Sequence, residues 1–495
     1  MDQQFVLALD QGTSSTRALL FDGSTAVCAI AQRELSQYYP RPGWVEHDPL
    51  EIWRDQMDLI REVMQQASIG PQQISAIGIT NQRETTVLWD AKSGRPIHRA
   101  IVWQDRRTAP ICEQLRQDGF ADHVRQTTGL VIDAYFSGTK IKWLLDEVPG
   151  AREKAERGEL RFGTIDSWLI WNMTGGEQHL TDYTNASRTL LFDINRLSWD
   201  QTLLRALHIP DALLPQVRPS ASEFGIFRLD GHAIPILGVA GDQQAALFGQ
   251  CCTGPGMAKN TYGTGCFLLM HTGDQLTRSQ HGLLTTIACT SDGAVGYALE
   301  GSIFIAGAAI QWLRDSLRIL DDAADSAYLA RQASEQDDLY VVPAFSGLGA
   351  PHWDMYARGA ILGLTRDTDR KHIIRGTLQS LAYQTRDVLE AMLKDTGLDL
   401  SVLRVDGGAS ANDYLMQFQA DILHVPVERP QNIESTAAGA AFLAGLQVGL
   451  WSFRELCAAR NIDRTFLPEM PEDQRKKRYS GWLRAVDRTK SWIDS

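Results

Sequence analysis

The stretch that decides the fold is Phe5-Val-Leu-Ala-Leu-Asp-Gln-Gly-Thr-Ser-Ser-Thr-Arg-Ala-Leu-Leu-Phe-Asp22. Two apolar runs flank a turn rich in glycine and hydroxyl residues, the pattern of a β-hairpin. The pattern returns at Met257-Ala-Lys-Asn-Thr-Tyr-Gly-Thr-Gly-Cys-Phe-Leu-Leu-Met270. The two Gly-Thr turns, at Gly12-Thr13 and Gly263-Thr264, stand about half a chain apart, which suggests two related lobes. Gly249, Gly254, Pro255 and Gly256 cluster where such lobes would meet. The expected division is therefore 1–249 and 250–495.

The rest of the chain alternates helix and strand signals. Trp53, Met57, Ile60 and Met64 recur at helical spacing over about 49–67, and Ile74-Ser-Ala-Ile-Gly-Ile79 reads as a buried strand. A third glycine turn, Leu403-Arg-Val-Asp-Gly-Gly-Ala-Ser-Ala-Asn412, follows an apolar run and opens a helix carrying Tyr414, Leu415, Phe418 and Ile422. Alternation of this kind defines an α/β class.

Composition narrows the function. At 495 residues the chain suggests about three ordinary domains, or two large ones. A net charge of −12 argues against a protein that coats nucleic acid or an anionic membrane. It leaves room for one phosphate compound held by backbone N–H groups and a metal ion. The N-terminus lacks the basic region of a signal peptide, and no apolar run approaches the ~18 residues of a membrane span. Seven scattered cysteines without a CxxC pair fit a reducing compartment, so a cytoplasmic location is expected.

Common phosphate and hydrolase motifs are missing. There is no GxxxxGK[ST], no strand–GxGxxG–helix unit, no HExxH and no GxSxG. The Gly-Thr turns become the leading candidates. Gly12 allows close backbone approach, Thr13, Ser14 and Ser15 offer hydroxyl and N–H donors, and Arg17 adds a charge. Asp10 at the strand end can hold Mg²⁺ through water. An ordinary exposed hairpin, and a plain β–α connection at Gly407-Gly408, remain the competing readings of the same residues.

Eight segments together carry a resemblance: LALDQGTSSTRALLFD (7–22), ITNQRETTVLWD (79–90), IVWQDRRT (101–108), YFSGTKIKWLLDE (135–147), GVAGDQQAALFGQ (238–250), NTYGTGCFLLM (260–270), FIAGAAIQWLRD (304–315) and VDGGASANDYLMQFQAD (405–421). The chain resembles the glycerol-phosphorylating branch of the FGGY carbohydrate kinases, within the actin-like ATPase superfamily, nearly end to end. A further family pattern over Gly359 to Gln379 fits except at Gly376, where Ala or Ser is usual.

The resemblance implies two actin-like, ribonuclease H-like lobes with a cleft between them. It implies ATP and glycerol as substrates and Mg²⁺ as the metal. Asp10, Thr13, Ser14, Ser15 and Arg17 would form the first phosphate and metal loop, and Thr264 and Gly265 the second. Gly307, Gln311, Gly408 and Asn412 would receive the nucleotide. Arg83, Glu84, Tyr135 and Asp242 would contact glycerol, with Trp103 and Phe267 against its carbons, Gln243 alongside, and Asp242 as base. A triol does need convergent polar groups and apolar walls. Taken singly, Arg83-Glu84 also reads as an exposed charge pair, Asp242 as a helix cap and the aromatics as core.

Two departures bear on regulation. Ala233 stands where some relatives carry the arginine of a fructose 1,6-bisphosphate site, so weak or absent inhibition is expected. Gln474 stands where a metal-bridging glutamate would contact a phosphotransferase-system protein, so that partner is not expected. Arg475–Arg478 reads as a solvated helix face, with Tyr479, Trp482, Leu483 and Val486 as the packed side. Relatives imply a homodimer or homotetramer.

Overall fold

A computed structural model describes residues 4–334, 338–345 and 347–493. The chain forms two compact units. The first gathers residues up to Thr253 together with Thr285–Tyr297 and Thr436–Ala459, and the second takes Gly254–Leu284, Ala298–Ser435 and the chain from Arg460 onward. Two segments beyond residue 250 thus fold into the first unit.

In the first unit, β1 (Phe5–Gln11), β2 (Ser15–Asp22) and β3 (Val27–Glu34) form an antiparallel meander. Helix α1 (Pro49–Ala67) then leads to β4 (Ile74–Asn81), which lies parallel to β1. Asp48 starts α1 by accepting a hydrogen bond from the Leu50 amide, and Pro49 supplies a ready-made first-turn φ. Ile52, Leu59, Ile60 and Val63 bury one face of the helix. The antiparallel pair β5 (Ala221–Leu229) and β6 (His232–Gly241) completes the sheet, with β6 parallel to β4. The order is β5-β6-β4-β1-β2-β3. β6 runs directly into α2 (Asp242–Gly249).

The second unit repeats this plan. β7 (Ala258–Tyr262) and β8 (Cys266–Gly273) make the hairpin, followed by β9 (Gly296–Ile303) and α3 (Gly307–Asp315). The long helix α4 (Arg370–Thr396) precedes β10 (Leu403–Asp406), which is parallel to β7. α5 (Asp413–Leu423) leads to β11 (Val427–Pro430), parallel to β10. After α6 (Ser435–Gln447), β12 (Ile462–Phe466) lies antiparallel to β11, and α7 (Glu472–Asp487) ends the chain's regular structure. Within a seven-stranded sheet the consecutive strands are β9-β8-β7-β10-β11-β12. Read as β3-β2-β1-β4-β6-β5, the first sheet shares the order of its first four strands with the second, while its last two strands follow the opposite chain order. The repeated hairpin is therefore one sign of a repeated topology, an α/β fold in both halves.

α6 explains why the first unit reaches so far along the chain. Its sequence is largely alanine and glycine, so its backbone comes close to the sheet. A Cβ added at Gly78 on β4 would lie 2.1 Å from Ala440 O, and one at Gly238 on β6 would lie 2.8 Å from Ala444 N. Ala437, Ala441 and Leu443 are buried there with Val6, Ala8 and Phe21.

Three sequence details can now be placed. A methyl at Gly376, inside α4, would stand 3.2 Å from side-chain methyls of Leu339 and Val341, a tight fit that glycine relieves. On α7, Tyr479, Trp482 and Val486 are buried as expected, whereas Leu483 is exposed. The buried arc centres on Trp482, and Leu483 sits about 100° round the helix from it. Ala233 lies in the exposed β5–β6 hairpin and Gln474 on the exposed face of α7. Among the described residues no helix is long and apolar enough to cross a membrane.

Candidate functional site

The first Gly-Thr turn is a three-residue connection, Gly12-Thr13-Ser14, closed by the Gly12 amide donating to Ser15 O. Asp10 and Arg17 face each other across β1 and β2, with the guanidinium 3.5 Å from the carboxylate. Asp10 is buried and Arg17 half-buried, so one ion pair forms the floor of the turn. The Trp103 indole donates to Thr13 Oγ1 at 2.9 Å, and its ring meets Tyr135 edge-on at 5.5 Å.

Arg83 and Glu84 follow the end of β4. Both are buried, which overturns an exposed charge pair. Glu84 has φ of +62°, and the Thr85 amide donates back to Arg83 O at 2.7 Å. This is a tight γ-turn with a non-glycine residue in left-handed space, the kind of strain that collects at functional sites. It points successive side chains in different directions. Arg83 Nε lies 3.2 Å from Asp242 Oδ1, and its Nη1 donates to Gln244 Oε1. Glu84 turns to Arg188, whose Nε is 2.6 Å from Glu84 Oε1.

Asp242 is the first residue of α2, and Gly241 occupies the cap position, so capping is not its role. Its Oδ1 also accepts from the Gln243 amide at 2.7 Å. With 27% of its side chain exposed, the carboxylate is fixed in direction yet reachable. Tyr135 lies two residues before a helix that starts at the buried Ser137. Lys140, fully buried, donates to Tyr135 O and Phe136 O, and burial pushes its amine down to about 8.

Arg83, Glu84, Asp242, Gln243, Trp103, Tyr135 and the first turn all belong to the first unit; Phe267 belongs to the second, on β8 opposite Thr261. Arg188 and Gln244 were not among the candidates. Arg188 has no exposed side chain and its guanidinium lies 5.4 Å from the Tyr135 ring centroid. Its only signal in sequence is an arginine set among hydroxyl and apolar residues, Thr184-Asn-Ala-Ser-Arg-Thr-Leu-Leu-Phe192.

In the second unit, Gly263-Thr264-Gly265 is again a three-residue turn, here bonded to the start of α3. Gly307 N donates to Gly263 O, and the amides of Ala306 and Ala308 donate to Thr264 O. Thr264, Gly307, Gln311, Gly408 and Asn412 line one cavity of about 510 Å³, together with Ile310 and Leu378. Gly265 is packed beneath the turn, outside that lining. Asn412 also caps α5 through the Leu415 amide and donates to Ser326 Oγ. An apolar cavity with a few polar groups suits a small planar ligand.

Sequence comparison agrees with this architecture. Residues 5–249 match the N-terminal domain of the FGGY family of carbohydrate kinases, and 258–448 match its C-terminal domain. The chain belongs to the FGGY family of carbohydrate kinases. It is 62% identical to a glycerol kinase of Halorhodospira halophila, over 99% of this chain and 98% of that one. It is 61% identical to a glycerol kinase of Caldanaerobacter subterraneus, over 99% of each. Among solved structures, Plasmodium falciparum glycerol kinase with ADP superposes with a TM-score of 0.91 at 37% identity, covering 98% of each chain. A gluconate kinase of Lactobacillus acidophilus shares the fold, with a TM-score of 0.88 at 21% identity. The chain is thus a kinase of this family, with the family's actin-like α/β fold in two domains.

Proposed function

We propose that this chain transfers the terminal phosphoryl group of ATP to glycerol, giving sn-glycerol 3-phosphate, with Asp242 as general base. The observation that carries the reading is the Arg83 bridge, which ties Asp242 to the Glu84 turn inside a polar cluster walled by Trp103 and Tyr135. Glu84 accepts from a glycerol hydroxyl and Arg83 donates to one. Asp242 takes the proton of the attacking hydroxyl as the new P–O bond forms. Trp103, Tyr135 and Phe267 cover the carbon chain, and Gln243 flanks the base. High identity to glycerol kinases over full length supports glycerol rather than a larger sugar.

Thr13, Ser14, Ser15, Arg17, Thr264 and Gly265 bind the phosphates, while Gly307, Gln311, Gly408 and Asn412 receive the adenosine. Among the described residues no cluster of three metal-ligating side chains occurs. A single carboxylate beside a hydroxyl-rich turn nevertheless fits Mg²⁺, which keeps most of its waters and shares the nucleotide's oxygens. Asp10 would hold it, and the ion would neutralise charge on the transferred group.

Steady-state assays with ATP, Mg²⁺ and a panel of glycerol, pentuloses, tetritols and gluconate test the reading. Glycerol is expected to give the highest kcat/KM. Asp242→Asn should lower kcat by about 10²–10⁴-fold while ADP still binds. Transfer undiminished by that substitution, or a clear preference for a pentulose, would overturn it.

A further inference from the structure

A chain of buried amides lies behind the first Gly-Thr turn. Gln82 Nε2 donates to Gly12 O at 3.2 Å, and Gln37 Nε2 donates to Thr13 O at 2.8 Å. Between the two glutamines sits His47. Its Nε2 is 2.9 Å from Gln37 Oε1 and its Nδ1 is 3.2 Å from Gln82 Nε2. His47 has no exposed surface, Gln82 is buried and Gln37 is half-buried.

The bonding directions in this chain are mutually fixed. Gln37 Nε2 is committed to Thr13 O and, more weakly, to Leu35 O, so Gln37 turns its carbonyl to His47. Gln82 Oε1 accepts from the Thr85 hydroxyl at 2.9 Å, so Gln82 turns its amino group to His47. A neutral imidazole has one donor and one acceptor, and this setting takes the tautomer with hydrogen on Nε2, as assigned from the network. Burial pushes the His47 imidazole down to about 3, which keeps it neutral at physiological pH. A protonated ring would present a second N–H to the Gln82 amino group and break the chain.

The consequence reaches the turn through peptide geometry. In a planar trans peptide the C=O and the following N–H point in opposite directions. Holding Gly12 O inward therefore turns Thr13 N–H outward, and holding Thr13 O inward does the same for Ser14 N–H. Those two amides are donors of the kind an anion uses at such a turn.

We propose that His47 is a positioning residue for phosphoryl transfer, clamping Gln37 and Gln82 so that the amides of Thr13 and Ser14 stay aimed at the nucleotide phosphates. The proposal rests on the reading of the first turn as a phosphate site. His47 touches neither substrate; it acts through the two glutamines.

Four variants test this: His47→Phe, which keeps the ring but removes both bonds, His47→Gln, Gln37→Leu and the double variant H47F/Q37L. Gln37, being only half-buried, provides a variant whose folding is less at risk. Calorimetry gives ADP affinity, steady-state assays give kcat and KM for ATP, and thermal melts report folding. His47→Phe and Gln37→Leu should each lower kcat/KM for ATP and ADP affinity by about tenfold, the scale of one lost buried hydrogen bond. His47→Gln, which restores a donor and an acceptor, should recover most of that loss. The double variant should be no worse than about twofold below His47→Phe, because both break one chain.

The proposal fails if His47→Phe and Gln37→Leu lower the melting temperature but leave ADP affinity and kcat/KM within about twofold. It also fails if His47→Gln is no better than His47→Phe, or if the two losses simply multiply. Should His47→Phe not fold, Gln37→Leu decides. A wild-type protein that binds ADP without phosphorylating glycerol would defeat the proposed function and leave this inference standing on the binding data.

Discussion

The two Gly-Thr turns have the same length, join the same kind of antiparallel pair and occupy the same place in their sheets, yet they are held in different proportions by side chains and backbone. The first is held mainly by side chains, Gln82 and Gln11 on Gly12 O, Gln37 on Thr13 O and Trp103 on its threonine, with one backbone bond from the Leu35 amide to Ser14 O. The second is held by backbone, with three amides at the start of α3 bonded to Gly263 and Thr264. Its floor is also tighter. A Cβ on Gly265 would stand 2.5 Å from Ile303 O, whereas one on Gly12 would stand 3.2 Å from Ser15 O. A turn built on side chains can be tuned by single substitutions around it. One built on backbone resists them and is sensitive chiefly to added bulk.

The largest expected effect separates the turns by that bulk. Gly265→Ala should cost about 1–3 kcal/mol of stability, the usual range for overpacking against atoms that cannot move away. Gly12→Ala should cost well under half as much. Denaturant melts of the two variants measure this directly, and equal losses would break the contrast.

A smaller effect probes the side-chain support. Trp103→Phe keeps an aromatic wall but removes the bond to Thr13 Oγ1. It should lower kcat/KM for glycerol by about 2–10-fold, as the loss of one hydrogen bond predicts. An unchanged value would mean that the first turn does not depend on its indole partner.

The smallest and broadest effect concerns the polar interior of the first unit. Asp166 is fully buried, bonded to Thr181 and Thr164, and lies near Asp182. Burial, then the neighbouring carboxylate, pushes its carboxyl up to about 7. The folded protein therefore keeps a proton that the unfolded chain has lost near its ordinary value of 3.8. Stability from this group is greatest below that value and falls as pH rises toward 7. Asp166→Asn should flatten stability against pH across that window, measured by melts between pH 4 and about pH 8. A slope unchanged by the substitution would remove Asp166 as its source.

Much of the fold was legible because its signals are local. A glycine turn between two apolar runs makes a hairpin wherever it stands, and the spacing of Trp53, Met57, Ile60 and Met64 marks a helix without reference to the rest of the chain. The membership of α6 was not legible, since an alanine-glycine helix carries no mark of which sheet it covers; that is decided by Gly78 and Gly238, hundreds of residues earlier. The candidate site divides the same way. Thr13, Thr264 and Gly408 lie in recognisable turns, whereas Asp242, Gly307 and Gln311 lie on helices and were legible only through the family resemblance. Arg188 was missed because its partner Glu84 lies 104 residues away, and a buried arginine looks like a surface one until that partner is seen. His47 was missed for a related reason: its two glutamines are unremarkable residues until the chain brings them onto one turn.

The return of α6 to the first sheet has a consequence for synthesis. β1 leaves the ribosome long before α6, and the indole of Trp451 donates to Gly23 O across 428 residues. From the synthesis of β6 until that of α6 the strip around Gly78 and Gly238 has no helix to cover it, so a nascent chain would carry an exposed apolar strip over that interval. The unit whose strands are made earlier thus waits for a helix made after most of the other unit.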